Sequence, residues 1–481
     1  MSTTKEMVRG FSWNTLTVVL QVVIQLVYTA IMARWIAPAD FAMMGVVLSM
    51  MGFAEIFSQV GIGPAIIQRK ETEQRHVNGA FWTALALGTL FTLAFVGSAK
   101  MLASAYAMER LEVITQVVST SFIISALGVV PRSFMMKRLA FKSFFFASMI
   151  SIIGGNVVVG LTLAYAGYGV WAYVWALFAQ NTLMTLAMWL FQPVTVGWKE
   201  TRKGIKDLLQ YGVGSTLFNA LNYAATKVDV TLVPLGLPAQ QWAMAGWYER
   251  SAYVVSLPIT IMAKLSDNVL FSGMSKMQDE WERLRKMVLV VTNALSIAII
   301  PTSIWVIFNA ALIMELYLGS QYAGAGVILQ FLFIGVIFRT LNRVSDALLR
   351  AKDATFRASW IKAIYVMLMA VGTWIAIPYG MDKVGMVIAF TTLIHYLMGA
   401  WLGQRVIEGS FWQVLAASRY GIWLGSLVTL SCILVQFIFG KNWISMSAGL
   451  GLMCLIYLLA IFRFKSWLGP TDLNPLQVLK K

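Results

Sequence analysis

Apolar runs of about twenty residues, each closed by a short polar or glycine-bearing turn, follow one another along almost the whole chain. A helix of roughly 20 residues crosses a hydrocarbon core about 30 Å thick, and backbone polar groups inside lipid must be satisfied within the element itself. The pattern therefore predicts an all-α polytopic membrane protein. About fourteen helices are expected, at 11–33, 41–66, 77–101, 113–131, 143–165, 169–191, 208–235, 241–265, 287–309, 323–344, 359–378, 384–407, 416–438 and 444–463. The first run is longer than a signal-peptide core and should remain as a helix. Loops are short, and no extramembrane stretch is long enough to fold a catalytic domain. Residues 275–286 (SKMQDEWERLRK) read as a surface helix on the cytoplasmic face.

Only 12% of the residues are charged, yet the net charge is +16. The basic residues fall between apolar runs rather than on one soluble patch, which marks topology and argues against a nucleic-acid partner. With the N-terminus inside, the cytoplasmic segments hold most of the Lys and Arg, including Arg132, Lys137, Arg138, Arg350, Lys352 and Lys362. The opposite side holds Arg34, Lys100, Arg110, Lys383 and Lys441, and Lys227, Arg250, Arg339 and Arg343 fall inside spans. This bias gives an even helix count with both termini cytoplasmic. The two cysteines, Cys432 and Cys454, sit in apolar runs without metal-ligand spacing and read as small buried hydrophobes.

Residues 211–253 are the exception to the apolar rule. Two apolar arms flank a turn near Pro238, yet carry Lys227 and Asp229 on one arm and Glu249 and Arg250 on the other. At 1.5 Å per residue, both pairs lie about 14–18 Å from the turn, near mid-bilayer. Charges there face partners or water, so they imply a polar interior. Lys227 and Asp229 project about 200° apart on a helix and cannot pair with each other. Either these four groups lock two helices together, or the cations receive an anion while the acids serve a coupling ion.

Other ionisable and polar groups carry similar alternatives. Arg339, Arg343 and Asp346 share one helical face. They form either a pyrophosphate grip or an end-of-helix set in which Asp346 satisfies Arg343. Glu55, mid-span, is either a proton-cycling acid or a hydrogen-bonded structural carboxyl. Asn14, Gln21, Gln25 and Tyr28 form a stripe that either lines a sugar path or glues helices. His395 fits an interhelical partner better than a proton relay.

The halves show ordered similarity at an offset of about 200–216 residues. Pro38-Ala39 followed by FAMMG recurs as Pro238-Ala239 followed by WAMAG. KRLAF at 137–141 has an echo in RAKDATF at 350–356, and Gly169 matches Gly385 as a helix-opening residue. Two six-helix lobes of the same hand are expected, at 1–200 and 201–410, with two extra helices and a cytoplasmic tail at 411–481.

RWIAPADF at 34–41, GIGPAIIQ at 61–68 and YGVWA at 168–172 resemble the Wzx-type polysaccharide exporters, closest in flavour to colanic-acid-type exporters. These form part of the multidrug/oligosaccharidyl-lipid/polysaccharide flippase superfamily. Lys227-Val-Asp229, Met277-Gln-Asp279 and Leu318-Gly319 extend the likeness over most of residues 5–410. Gln59, where an acid is expected, and Ser272, where a proline is expected, depart from it.

The resemblance implies a non-enzymatic flippase of the bacterial inner membrane. Its cargo would be undecaprenyl-pyrophosphate-linked oligosaccharide for exopolysaccharide, capsule or O-antigen synthesis. It would need no cofactor beyond a Na+ or H+ gradient, and a polysaccharide polymerase or co-polymerase could be a partner. Lys227, Arg250, Arg339, Arg343 and Arg34 would form the cationic cavity, and Asn14, Gln21, Gln25 and Tyr28 its polar lining. Glu55, Asp229, Glu249 and Asp346 would be the ion-coupling candidates. The rival readings are a cation-coupled multidrug exporter of the same superfamily, which should have an acidic cavity, and a polytopic polymerase, which should have a long outer loop.

Overall fold

A computed structural model describes residues 2–59, 63, 66–67, 72–198 and 201–463, with some side chains inside the helices also outside the described set. The described residues are helical throughout, joined by short turns. In chain order the elements are α1 (Ser2–Trp35), α2 (Pro38–Gln59), α3 (Gln74–Ala105), α4 (Arg110–Ser119) and α5 (Ser121–Lys137). Next come α6 (Phe141–Ile152), which runs through a π-helix (Ile153–Leu161) into α7 (Thr162–Tyr165), and then α8 (Val170–Phe191). They are followed by α9 (Thr201–Gly236), α10 (Trp242–Lys276), α11 (Trp281–Leu318), α12 (Ala325–Ala351), α13 (Thr355–Ala376) and α14 (Met381–Val406). The series ends with α15 (Phe411–Ala417), α16 (Arg419–Phe439) and α17 (Trp443–Arg463).

Among the described residues, twelve helical stretches are long and apolar enough to cross a membrane. The two long helices outside that set, α9 with 36 residues and α10 with 35, carry the charges of the 211–253 hairpin. Their lengths are compatible with the expected fourteen. The side chains sort as lipid requires. Leu93, Leu190 and Phe437 are exposed, whereas Thr92, Ser148, Asn156 and Thr392 are buried.

The chain forms two compact units that divide between Gly246 and Trp247, inside α10. In the first unit, α9 packs on α2 and α3. Small residues let its helices touch: a Cβ on Gly155, in the π-helix, would lie 2.5 Å from the Gln180 backbone nitrogen of α8. In the second unit, α12 lies against α11, α13 and α14, and α16 lies against α11. Leu341, Val344, Leu348, Tyr396 and Ala400 form the apolar core there.

Several expectations are corrected by this architecture. Residues 275–286 do not make a surface helix of their own. Lys276 ends α10 and Trp281 starts α11, so the stretch is the turn between two long helices and their ends. Gly169 does open α8 with φ +55, whereas Gly385 opens no helix: it is buried within α14, whose N-cap is Gly380, φ +111. Cys454 is exposed, because its helix presents that face outward. The match between 137–141 and 350–356 has a local structural trace. Leu139 and Asp353 both take left-handed backbone, φ +53 and +52. Each is followed by an alanine whose N–H reaches the carbonyl five residues back, Ala140 to Met135 and Ala354 to Leu349. This helix-ending turn also occurs at Ala107 and Glu408, so it is not particular to these two segments.

Candidate functional site

Charge is buried in both units, and the two sets are built differently. In the first unit, Lys227 lies nine residues before the end of α9, about 14 Å along the helix. It lines a cavity of about 540 Å³ formed by α2, α3 and α9, whose walls include Met50, Phe53, Phe91, Phe95 and Met101. Among the described residues, the Lys227 ammonium has no hydrogen bond or ion pair. Asp229 is 3% exposed, and its carboxylate accepts the Val230 N–H at 2.9 Å. Just outside the spans, burial pushes the Tyr106 phenol above its ordinary range, so it remains a donor. Its hydroxyl donates to the Thr231 carbonyl at 3.1 Å and ties the end of α3 to α9.

Glu55 lines a second cavity in this unit, of about 400 Å³, with Arg132, Ser133 and Asn181 among the other lining residues. The helix 1 stripe divides. The Gln25 carbonyl accepts from Asn156 Nδ2 at 3.1 Å, and Tyr28 is 3% exposed and packs edge-on to Tyr173. These two join α1 to neighbouring helices, while Gln21 is half-buried. The side chains of Asn14, Gln59 and Ser272 lie outside the described residues. Arg34 is exposed, and its guanidinium donates to the Ala30 carbonyl of its own helix at 2.7 Å.

The second unit holds the denser set. Arg250, 3% exposed, pairs with its sequence neighbour Glu249 and lies 5.1 Å from the centre of the Tyr253 ring. On α12, Arg339 donates to the Tyr365 hydroxyl of α13 at 3.2 Å, and Arg343 donates to the Ile259 carbonyl of α10 at 3.2 Å. Asp346 forms an ion pair with Lys362 of α13 at 3.3 Å, and Asn342 Nδ2 stands 3.5 Å from its carboxylate. His395 of α14 stacks on Tyr365 with ring centres 4.3 Å apart, and its ring lies 3.5 Å from Asn342. Among the described residues, Asp346, Lys362, Asn342, His395, Tyr365 and Arg339 thus form one run of polar contacts, and Arg343 stands on the same helix as Arg339.

Lys362 is the residue the sequence misplaced. It stands near the start of a span, so its charge read as a cytoplasmic marker, but its side chain is 5% exposed and turned onto Asp346. The one available signal was spacing. Lys362 precedes Tyr365 by three residues and shares its helical face.

The fold is similar to that of the lipid II flippase MurJ in an inward closed conformation. That match has a TM-score of 0.76 and 14% identity, over 93% of this chain and 98% of that one. An inward-facing multidrug resistance MATE family transporter of the MOP superfamily matches with a TM-score of 0.66, over 80% of this chain and 94% of that one, again at 14% identity. Membrane-length helices in this fold, with charge held inside both units, define a multi-pass membrane protein with the fold that these transporters share.

Within that class, a family model described as polysaccharide biosynthesis protein matches residues 31–327, and the chain belongs to that family. Among curated relatives, the teichuronic acid biosynthesis protein TuaB of Bacillus subtilis (strain 168) is 22% identical, over 85% of this chain and 84% of its own. The lipopolysaccharide biosynthesis protein WzxC of Escherichia coli (strain K12) is 21% identical, over 92% and 89%. The succinoglycan biosynthesis transport protein ExoT of Rhizobium meliloti (strain 1021) is 22% identical, over 78% and 74%. Of these names, that of ExoT carries transport, and that of the structural neighbour MurJ carries flipping of lipid II.

Proposed function

We propose that the chain moves undecaprenyl-pyrophosphate-linked oligosaccharide repeat units across the bacterial inner membrane, for exopolysaccharide, capsule or O-antigen synthesis. The observation that carries this reading is the set of cations held on α12 and α13 of the second unit, with Arg339 on the Tyr365 hydroxyl, Arg343 on the Ile259 carbonyl and Lys362 on Asp346. The pyrophosphate is the most costly part of such a cargo to take through lipid, and guanidinium and ammonium groups are its natural partners. A pump for cationic drugs would want the opposite balance. Lys227 supplies a cation in the first unit, and Arg250 and Arg34 remain members of the proposed cationic set.

The same proposal takes both termini as cytoplasmic. It takes lobes at 1–200 and 201–410 with a tail at 411–481, and a Na+ or H+ gradient acting through Glu55, Asp229, Glu249 or Asp346. A polysaccharide polymerase or co-polymerase is the expected partner. The test is translocation of defined pyrophosphate-linked glycans in vesicles under imposed gradients, beside surface polysaccharide in cells carrying charge reversals. Lys227→Glu, Arg250→Glu and Arg339→Glu should abolish export, and Lys227→Glu should do so with the protein inserted in full amount. Normal surface polysaccharide in all three variants would refute the cationic-site reading.

A further inference from the structure

The cavity beside Lys227 combines two features that rarely occur together inside a membrane protein. Its walls are apolar, with Phe53 from α2, Phe91, Phe95, Met101 and Leu102 from α3, and Val228 from α9. Three of its polar residues have their hydroxyls directed at backbone carbonyls: Ser98 to Phe95, Tyr223 to Leu48 and Thr231 to Lys227. The Lys227 ammonium is different. Among the described residues, nothing neutralises it, and it stands about 14 Å along α9 from the helix end, the depth of mid-bilayer when that end lies at the interface. Such a charge favours an anionic partner. The wall beside it is aromatic and aliphatic, and Tyr223 lies directly against Gly52, where a Cβ would come within 2.2 Å of its hydroxyl. A cavity of about 540 Å³ is of ligand size and accommodates a segment of chain rather than a whole long lipid.

We infer that the crevice formed by α2, α3 and α9 is a binding site for a lipid phosphate, with its phosphate on Lys227 and the first part of its hydrocarbon chain among Phe53, Phe91 and Phe95. This deepens the proposed function and rests on the cargo being a lipid pyrophosphate. It places the phosphate-proximal part of the tail inside the protein, where it fixes the height of the charge, rather than leaving the whole tail in bulk lipid. A headgroup of ordinary phospholipid sits at the interface, some 15 Å from mid-membrane. The depth of Lys227 therefore selects a lipid in transit.

The test is a binding titration on the full chain in zwitterionic nanodiscs, followed by native mass spectrometry, with geranylgeranyl pyrophosphate, inorganic pyrophosphate and phosphatidylglycerol as probes. Wild type should bind the prenyl pyrophosphate at least tenfold more tightly than inorganic pyrophosphate. Ser98→Phe and Ala224→Phe fill the cavity from different helices and should erase that advantage, and Lys227→Gln should weaken both anions. Thermal melting selects the variants that fold. Equal binding of the prenyl and inorganic anions, undiminished prenyl binding in a folded cavity-filled variant, or equal competition by phosphatidylglycerol would each overturn the site. Glycan-lipid transport is measured separately. Prenyl binding at the crevice without transport refutes the proposed function alone, and transport undisturbed by a filled crevice refutes this site alone.

Discussion

Lys362 Nζ stands 3.3 Å from Asp346 Oδ2, and joins α13 to α12 at a point where the lysine side chain is 5% exposed. This pair forms one end of a chain of polar contacts that continues through Asn342 to His395 and Tyr365 and ends at Arg339. Removing one partner of a fully buried pair costs about 3–5 kcal/mol, whereas removing both can be nearly neutral; the Asp346 side chain is 29% exposed, so the loss here falls below that range. Asp346→Asn should therefore lower the melting temperature clearly, and adding Lys362→Met should restore most of the loss. A double variant no more stable than the single one would show that the pair does not hold α12 and α13 together.

Lys227 and Arg250 should separate in their response to neutralisation. Arg250 is held by Glu249 and packs on Tyr253, so Arg250→Gln should reduce folded yield and thermal stability together. Lys227 has no such support among the described residues, so Lys227→Gln should leave stability unchanged or raise it, while export falls at least tenfold. Melting curves and a surface-polysaccharide assay on the same two variants decide the matter.

The contact of α1 with the π-helix is the basis of a third expectation. Interhelical hydrogen bonds in membranes average about 0.6 kcal/mol, so Asn156→Ala, which removes the bond to Gln25, should cost little. Gly155→Val should be far more damaging, because its Cβ would press on the Gln180 backbone, which cannot move aside. Comparable yields of properly inserted protein for the two variants would contradict this packing.

Leu139 and Asp353 hold left-handed backbone without being glycine, a conformation that costs an L-residue about 1–2 kcal/mol. Replacing either by glycine relieves that cost at the expense of greater unfolded-chain entropy. Leu139→Gly and Asp353→Gly should each be neutral to stabilising by up to about 1 kcal/mol, read as an unchanged or raised melting temperature. The same substitution at Leu341, in the α12 core, serves as the destabilising comparison.

Much of the membrane architecture was legible in the amino-acid order, because lipid imposes its rule residue by residue. A helix must satisfy its own backbone and span a fixed thickness, so apolar run lengths alone mark the helices, and glycines such as Gly319, Gly380 and Gly440 mark their ends. The buried charges of the 211–253 hairpin were visible for the same reason, since any ionisable residue interrupting such a run stands out. What the order could not reveal is which way each charge turns. Lys362 read as a loop marker and is a buried partner of Asp346. Gln25 and Tyr28 read equally as cavity lining and as glue, and only the packing of α1 sets Gln25 on Asn156 and Tyr28 on Tyr173. Pairing depends on which helices lie side by side and on their rotation about their own axes. Those are set by close contacts between distant segments, such as Gly155 on Gln180, and only the tertiary structure fixes them.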